Sequence, residues 1–165
     1  MRTLFFFCVL LFTSCHHNPW KNSSLSNGNE RYDMAKLTYS CPKQKNELEL
    51  ELIRCGKEVY GYINTLCFEL PRNKDDHHTT TLKITTDSGI KTFTILLLEG
   101  RKRARLSDTC LEYLLQNLEL KSLVTLSCGH FSQILDTSNF QRSYDALMRK
   151  PPLIQPRSMI HLELF

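Results

Sequence analysis

The 165-residue sequence predicts a mainly β protein, folded as an antiparallel β-sandwich or open barrel of about seven strands with two short amphipathic helices. Three observations support this prediction. Apolar and polar residues alternate with a period of two in several short segments, turn residues join these segments into pairs, and a helical period occurs in only two places. Because short turns join antiparallel strands, the pattern excludes a parallel α/β order.

The first predicted hairpin lies within residues 47–70. Leu48, Leu50 and Leu52 alternate with three glutamates, which indicates a strand with one face in solvent. Residues 58–70 are rich in Val, Tyr, Ile and Phe. A Cys-Gly-Lys tripeptide between the two segments supplies the turn, so they are expected to pair.

Two more hairpins and a final strand are predicted. Residues 79–86 and 91–98 flank an Asp-Ser-Gly turn, and residues 123–127 and 131–135 flank a Cys-Gly-His turn. The run that ends at residue 98 becomes wholly apolar, so it is expected to lie deep. Alternating apolar residues predict a last strand over residues 159–165.

Two segments have the helical period. Residues 107–120 place four leucines at i, i+3, i+4 and i+7 behind Ser107 and Asp108, either of which can cap the helix. In the second segment, Ser138 and Gln141 have the spacing of a capping box, and two prolines follow the apolar face. Each helix is expected to bury one face against the sheet.

The composition indicates one globular domain over residues 36–165. Hydrophobic residues make up 41% of the chain and charged residues 23%, and the formal net charge is +4, which is too mild to indicate nucleic-acid binding. A domain of this length buries about two thirds of its unfolded surface. It therefore needs no metal, cofactor or obligatory disulfide to form a core.

The N-terminus has the pattern of a signal peptide over residues 1–14. Met1 and Arg2 precede an apolar run over residues 4–12, and two small polar residues follow. Nine residues span about 14 Å as a helix, half of the roughly 30 Å that a bilayer core requires. We therefore expect export rather than a permanent membrane helix.

The end of this segment, Leu11-Phe12-Thr13-Ser14-Cys15, resembles the lipobox of bacterial lipoproteins. The resemblance implies cleavage before Cys15, which would then carry acyl chains, and attachment to the cell membrane through them. Several buried acyl chains hold a protein far more firmly than one. The alternative is an ordinary secreted domain that carries no lipid and contains disulfides.

Residues 15–35 are expected to comprise the lipidated cysteine and a flexible tether. The segment after Cys15 is rich in Asn, Ser and Gly and has almost no apolar residues. Such a tether would hold the domain clear of the lipid headgroups. His16, in the place where some similar lipoproteins use Asp as a sorting signal, favours the outer over the inner membrane.

Residues 106–147 resemble the C-terminal half of the invasion-associated locus B family, whose exported sandwich proteins have a helix, a hairpin and a second helix in this order. The matching segments are SDTCLEYLLQNL, LVTLSCGHFSQIL and SNFQRSYDAL. The resemblance implies the sandwich fold and no catalytic residue. In size, anchor and class the chain is also similar to the pilotins, lipoproteins that hold an amphipathic segment of a secretin ring.

The mature chain would hold an odd number of thiols besides the lipidated one. They are Cys41, Cys55, Cys67, Cys110 and Cys128. An oxidising compartment would permit up to two bridges, whose connectivity the sequence leaves open, with Cys55 and Cys67 as the favoured pair because both lie near the first hairpin. The alternative is that several of them are small buried hydrophobes. The absence of CxxC spacing argues against a redox dithiol or a zinc knuckle.

The sequence does not indicate an enzyme. Cys128 and His130 are close in sequence but have no positioned acid partner, and residues 75–78 (Asp-Asp-His-His) point in different directions and cannot easily converge on one metal ion. No glycine-rich phosphate loop is present. We therefore expect no catalytic residue, no metal and no cofactor.

The basic cluster Arg101, Lys102, Arg103 and Arg105 is the remaining candidate site. It is expected either to face an anionic surface or to form a charged edge or turn that discourages strand pairing. The predicted function is a lipid-anchored, non-catalytic binding or assembly module with an envelope protein as its partner, and such a module should have an apolar groove between sheet and helix. The alternatives are a surface antigen or adhesive domain and a secreted domain without lipid.

Overall fold

The computed structural model describes residues 18–25, 34–39, 48–65 and 67–149, which form one antiparallel sheet and two helices. The nine described strands are β1 (Trp20–Leu25), β2 (Met34–Tyr39), β3 (Glu49–Cys55), β4 (Glu58–Asn64), β5 (Thr79–Thr86), β6 (Gly89–Leu97), β7 (Arg103–Arg105), β8 (Val124–Cys128) and β9 (Phe131–Leu135). The helices are α1 (Asp108–Glu119) and α2 (Phe140–Met148). The predicted mainly β fold is confirmed.

The sheet order is β1-β2-β3-β4-β7-β6-β5-β8-β9, and every neighbouring pair is antiparallel. The three predicted hairpins are present as β3–β4, β5–β6 and β8–β9. Strand β7 enters between β4 and β6 and joins the two halves of the sheet. A curved sheet of this kind forms an open sandwich or barrel around one core.

Helix α1 covers this core with the face that its sequence period predicted. Cys110, Leu114 and Leu118 are fully buried, and the Ser107 hydroxyl accepts a hydrogen bond from the Cys110 amide at 3.3 Å, so Ser107 is the N-cap. Gly61 of β4 lets this region approach closely, because a Cβ there would lie 2.7 Å from a Leu106 methyl carbon.

Helix α2 forms as expected, but its predicted capping box does not. The helix starts at Phe140, and its N-cap is Asn139, whose side chain makes no capping bond. The Ser138 amide donates instead to the Asp136 carboxylate at 2.9 Å, which draws Ser138 into the preceding turn. At the other end, the buried Arg54 of β3 donates to Leu147 O at 2.8 Å, so a strand supplies the cation that this helix terminus lacks.

Side chains connect the first two strands to the last one. Trp20 Nε1 donates to Asp136 O at 2.7 Å. The Tyr39 hydroxyl donates to Ile134 O at 3.1 Å and accepts from the Asp136 amide at 2.9 Å. The Trp20 ring also packs against Tyr39 and Phe140, with ring centroids 4.7 and 5.0 Å apart. These contacts bring β1 and β2 together with β9 along a line that we call the seam.

The N-terminal boundary of the domain differs from the prediction. The flexible tether expected within residues 15–35 is wrong for residues 20–25, which form β1, and β2 starts at Met34, before residue 36. Trp20 is only 3% exposed and fixes β1 to the core. One buried aromatic residue among polar neighbours gives no alternating pattern, so the sequence of this segment does not predict a strand.

The remaining strand predictions have mixed outcomes. The described part of the chain has nine strands rather than about seven, because β1, β2 and β7 join those expected. The predicted signal peptide, Cys15, Cys41 and the strand over residues 159–165 lie outside the described residues. Neither described helix is long and apolar enough to cross a membrane.

Replacing Tyr39 with Phe tests the seam. The substitution removes one hydroxyl that makes two hydrogen bonds to β9, so the free energy of unfolding should fall by about 1–2 kcal/mol. Urea unfolding followed by the fluorescence of Trp20, the only tryptophan, measures the change. Tyr60→Phe, which removes a solvent-facing hydroxyl, is the control, and an equal loss in both variants contradicts the role of the seam.

Candidate functional site

The structure divides the predicted basic cluster between a turn and a strand inside the sheet. Arg101 pairs with the Glu69 carboxylate, and Lys102 is exposed. Arg103 and Arg105 belong to β7, which pairs with β4 on one side and β6 on the other. The idea that these charges prevent strand pairing is therefore wrong. Ala104, fully buried between the two arginines, holds β7 in the sheet.

Arg103 takes part in a network around Glu51 on the outer face of the sheet. Glu51 is 5% exposed, and its carboxylate lies 3.0 Å from Lys36 Nζ and 2.6 Å from an Arg103 guanidinium nitrogen. Asn64 Nδ2 also donates to it at 3.2 Å. The Arg103 guanidinium lies over the Tyr62 ring, 4.0 Å from its centroid. Strands β2, β3, β4 and β7 thus meet at one carboxylate.

The same contacts set the ionisation of Glu51. Burial raises the pKa of its carboxyl, but the hydrogen bonds from Lys36 and Asn64 and the charge of Arg103 outweigh burial, so its pKa lies below the ordinary 4.5. Glu51 is therefore ionised at neutral pH and compensates the Arg103 charge. Because Arg101 and Arg103 are both ion-paired, the cluster is not an open row of free cations.

A groove of about 620 Å³ opens between β4 and α1, next to the end of β7. Val59 of β4 and Leu111 and Leu115 of α1 give it an apolar floor. Leu111 and Leu115 are four residues apart, so the same helical spacing that buries α1 also places both leucines along this groove. This is the groove between sheet and helix that a binding module was expected to have.

The rim of the groove is acidic. Its charged residues are Glu58, Arg105, Asp108, Glu112 and Glu119. Four carboxylates thus face one guanidinium. The Arg105 guanidinium lies over the Tyr60 ring, 4.7 Å from its centroid, and the Tyr60 hydroxyl donates to the Glu58 carboxylate, a bond that raises the pKa of Tyr60. The groove combines apolar contact with a field that attracts cations.

Sequence reasoning missed this rim, although part of its signal is present. Asp108, Glu112 and Glu119 follow at i, i+4 and i+11, which is one stripe of a helix that the sequence did predict. A helical projection of residues 107–120 would have shown an acidic stripe beside the apolar one. The opposite wall of the groove lies on β4. Its position relative to α1 depends on how the helix packs on the sheet, which sequence spacing does not give.

The cysteines of the described region carry free thiols. The favoured pairing of Cys55 with Cys67 is absent, since both are free, as are Cys110 and Cys128. Burial raises the pKa of the Cys110 thiol to about 12. Burial also raises the pKa of Cys128, whose sulfur lies 3.2 Å from the Thr80 hydroxyl. These two thiols pack as small hydrophobic groups.

The residues considered for metal or nucleophile chemistry lie apart. Residues 75–78 form an exposed loop, in which the Asp76 carboxylate accepts from the His78 amide at 2.9 Å. His130 is exposed and packs against the Phe131 ring, with centroids 4.1 Å apart. Within the described ranges, no three His, Cys, Asp or Glu residues come together as metal ligands do.

Comparisons with known proteins found no family model, curated protein or solved structure that matches the chain. The resemblances of the lipobox and of residues 106–147 therefore remain expectations from the sequence. The groove and the Glu51 network have to be interpreted from their own geometry.

Replacing Glu51 with Gln tests the network. Removing this buried charge leaves Lys36 and Arg103 without their anion, and because both are partly exposed we expect a loss of about 2 kcal/mol in the free energy of unfolding at pH 7. The lowered pKa means that the carboxylate stabilises the fold above pH 4.5 and that this stabilisation disappears as the pH falls further.

Urea unfolding of both proteins from pH 7 down to pH 3 measures this difference. The gap in stability between wild type and Glu51→Gln should narrow as the solution becomes acidic. Glu49→Gln is the matched control, because Glu49 accepts a hydrogen bond from the same Asn64 but has no ion pair among the described contacts. A gap that stays constant with pH contradicts the role of the Glu51 charge.

Proposed function

We propose that the protein is a lipid-anchored lipoprotein of the bacterial cell envelope that acts as a non-catalytic binding or assembly module. Its groove between β4 and α1 would bind an amphipathic, positively charged segment of another envelope protein. The groove is the single observation that supports this function most directly, since it offers an apolar floor with an acidic rim.

The chemistry of the groove defines the proposed ligand. An amphipathic helix places apolar residues on one face, which suits the floor formed by Val59, Leu111 and Leu115. Lysine or arginine residues beside that face would lie near the rim carboxylates. Charge complementarity of this kind selects partners and speeds their association more than it adds affinity.

The N-terminal sequence supports the proposed location. An apolar run of nine residues ends in the lipobox-like segment before Cys15, and burial of each acyl CH₂ stabilises membrane attachment by about 0.8 kcal/mol. His16 supports sorting to the outer membrane.

Photo-crosslinking, combined with the reversal of two rim charges, tests the groove. A photo-crosslinking amino acid in place of Gln116, which lines the groove, should join the protein to its partner in intact cells. The crosslinked peptide should contain apolar residues interleaved with Lys or Arg. Glu112→Lys with Glu119→Lys should reduce the yield at least about tenfold, because the loss of two attractive contacts of about 0.5–1 kcal/mol each already weakens binding by about 1–2 kcal/mol.

Two controls define the outcome. The same crosslinker in place of Gln141, exposed on α2, should give no such adduct. Glu99→Lys, a charge reversal in an exposed turn that does not line the groove, should leave the yield unchanged. Equal yields from the two crosslinker positions, or an acidic crosslinked peptide, contradict the proposed ligand.

Metabolic labelling tests the anchor. Cells grown with an alkyne fatty acid should incorporate label into the wild-type protein, whereas Cys15→Ala should carry none, because the thiol that accepts the diacylglyceryl group is missing. Fluorescence after click coupling, normalised to protein amount, measures the incorporation. Label on the variant, or none on the wild type, contradicts the lipoprotein assignment.

A further inference from the structure

An exposed apolar row crosses the outer face of four strands. The register pairs Ile90 of β6 with Thr85 of β5, Thr85 with Thr125 of β8, and Thr125 with Ile134 of β9. Ile90 is 70% exposed and Ile134 59%. Because neighbouring strands lie about 4.8 Å apart, the row is about 14 Å long.

Leu123 extends this row. It lies two residues before Thr125, and its amide donates to the Asp87 carboxylate at 3.2 Å, which connects the turn before β8 to the turn before β6. Leu123 is 59% exposed, and Leu120 in the same turn is 76% exposed. We call Ile90, Leu120, Leu123 and Ile134, with the two threonines between them, the apolar patch.

The next outward row along the same strands is polar. It consists of Thr92, Lys83, Ser127 and Ser132, in the same strand order. The change from isoleucine and threonine to lysine and serine over two residues ends the apolar row, and Leu96, farther along β6, is a separate exposed leucine. A contiguous exposed patch of this kind marks a contact surface more often than isolated apolar residues do.

The chain enters the domain beside the apolar patch. Trp20 Nε1 donates to Asp136 O, and Asp136 directly follows β9. The last residue of β9, Leu135, pairs with Val124, which is next to Leu123 in the chain. Tyr39 of the same region donates to the backbone of Ile134 itself. The seam therefore joins Trp20, two residues after Asn18, to the end of β9 that carries Ile134.

The distance from Cys15 to this point is short. Asn18 is three residue steps after Cys15, and an extended chain covers at most about 3.6 Å per step, or about 11 Å in all. A lipid attached at Cys15 would thus keep the start of β1 close to the headgroups. The domain cannot stand clear of the membrane as a tether over residues 15–35 would allow.

We infer that the apolar patch contacts the bilayer that holds the lipid anchor, with Ile90, Leu123 and Ile134 in the interfacial region. This inference rests on the proposed lipoprotein function. Lys121, between Leu120 and Leu123, is exposed and suited to reach the phosphate groups while the leucines contact lipid. One face of the sheet therefore rests on the membrane, and the domain has a fixed orientation there.

Lysine labelling of the acylated full-length protein in phospholipid vesicles tests the inference. An amine-reactive reagent should modify Lys121 several-fold less than Lys74. Lys74 is exposed, and the Asn73 amide beside it donates to Thr79 O at the start of β5. The opposite end of β5, Thr86, lies next to the apolar patch, and about 23 Å separate Thr79 from Thr86 along the strand. In a variant with Ile90→Ser, Leu123→Ser and Ile134→Ser, the Lys121 to Lys74 ratio should rise several-fold.

Leu96→Ser is the matched control, since Leu96 is an exposed leucine of β6 outside the patch, and it should leave the ratio as in the wild type. Equal ratios in the wild type and the triple variant overturn the inference, provided that thermal unfolding shows the variant to be folded. If the ratio of Lys121 to Lys74 modification rises when the wild-type protein is diluted among the vesicles, the patch contacts another copy of the protein. That result also overturns the inference. The mass of the Cys15 peptide separates the two proposals. A peptide without acyl mass contradicts both the lipoprotein function and this inference. An acylated peptide with equal labelling ratios in the wild type and the triple variant contradicts only this inference.

Discussion

The structure depends on closing the sheet along the seam. A sheet with two free ends would expose core side chains and unpaired strand edges, and here Trp20 and Tyr39 bring the first two strands against the last one. Trp20 also packs on Phe140, so the same contact positions α2 over the seam. One indole and one phenol therefore hold the two ends of the open sheet together through side-chain contacts.

A second constraint is the placement of charge inside the sheet rather than only around it. Strand β7 is three residues long and includes two arginines, yet it joins β4 to β6. Its guanidinium groups are accommodated because the rings of Tyr60 and Tyr62 lie on the neighbouring strand β4 and Glu51 lies on β3, one strand farther. A basic segment that resembles a surface site in the sequence is thus largely part of the framework, and only Arg105 borders the groove.

Sequence reasoning predicted the elements whose patterns are local. The three hairpins and both helices follow from periods of two and 3.6 and from short turns. Strand β1 was missed because Trp20 is buried among polar neighbours, and β7 because it is three residues long and pairs with residues distant in sequence. Strand β2 was missed although its buried residues Ala35, Leu37 and Tyr39 alternate. The acidic stripe of α1 was available from helical spacing, whereas the Glu51 network requires the register of four strands, which no local pattern contains.

The two proposed surfaces fit one arrangement at a membrane. The apolar patch lies on the outer face of β6, β5, β8 and β9, while the groove lies between β4 and α1, and β7 separates β4 from β6 in the sheet. The two surfaces approach each other at the C-terminal end of α1, where Glu119 lines the groove and the next residue, Leu120, belongs to the apolar patch. Under the proposed lipid attachment at Cys15, the short link to Asn18 would restrain the orientation of the domain, because the seam fixes Trp20 at the end of β9. An assembly module gains from this restraint, because a groove held at a defined height and direction loses less orientational freedom when its partner binds.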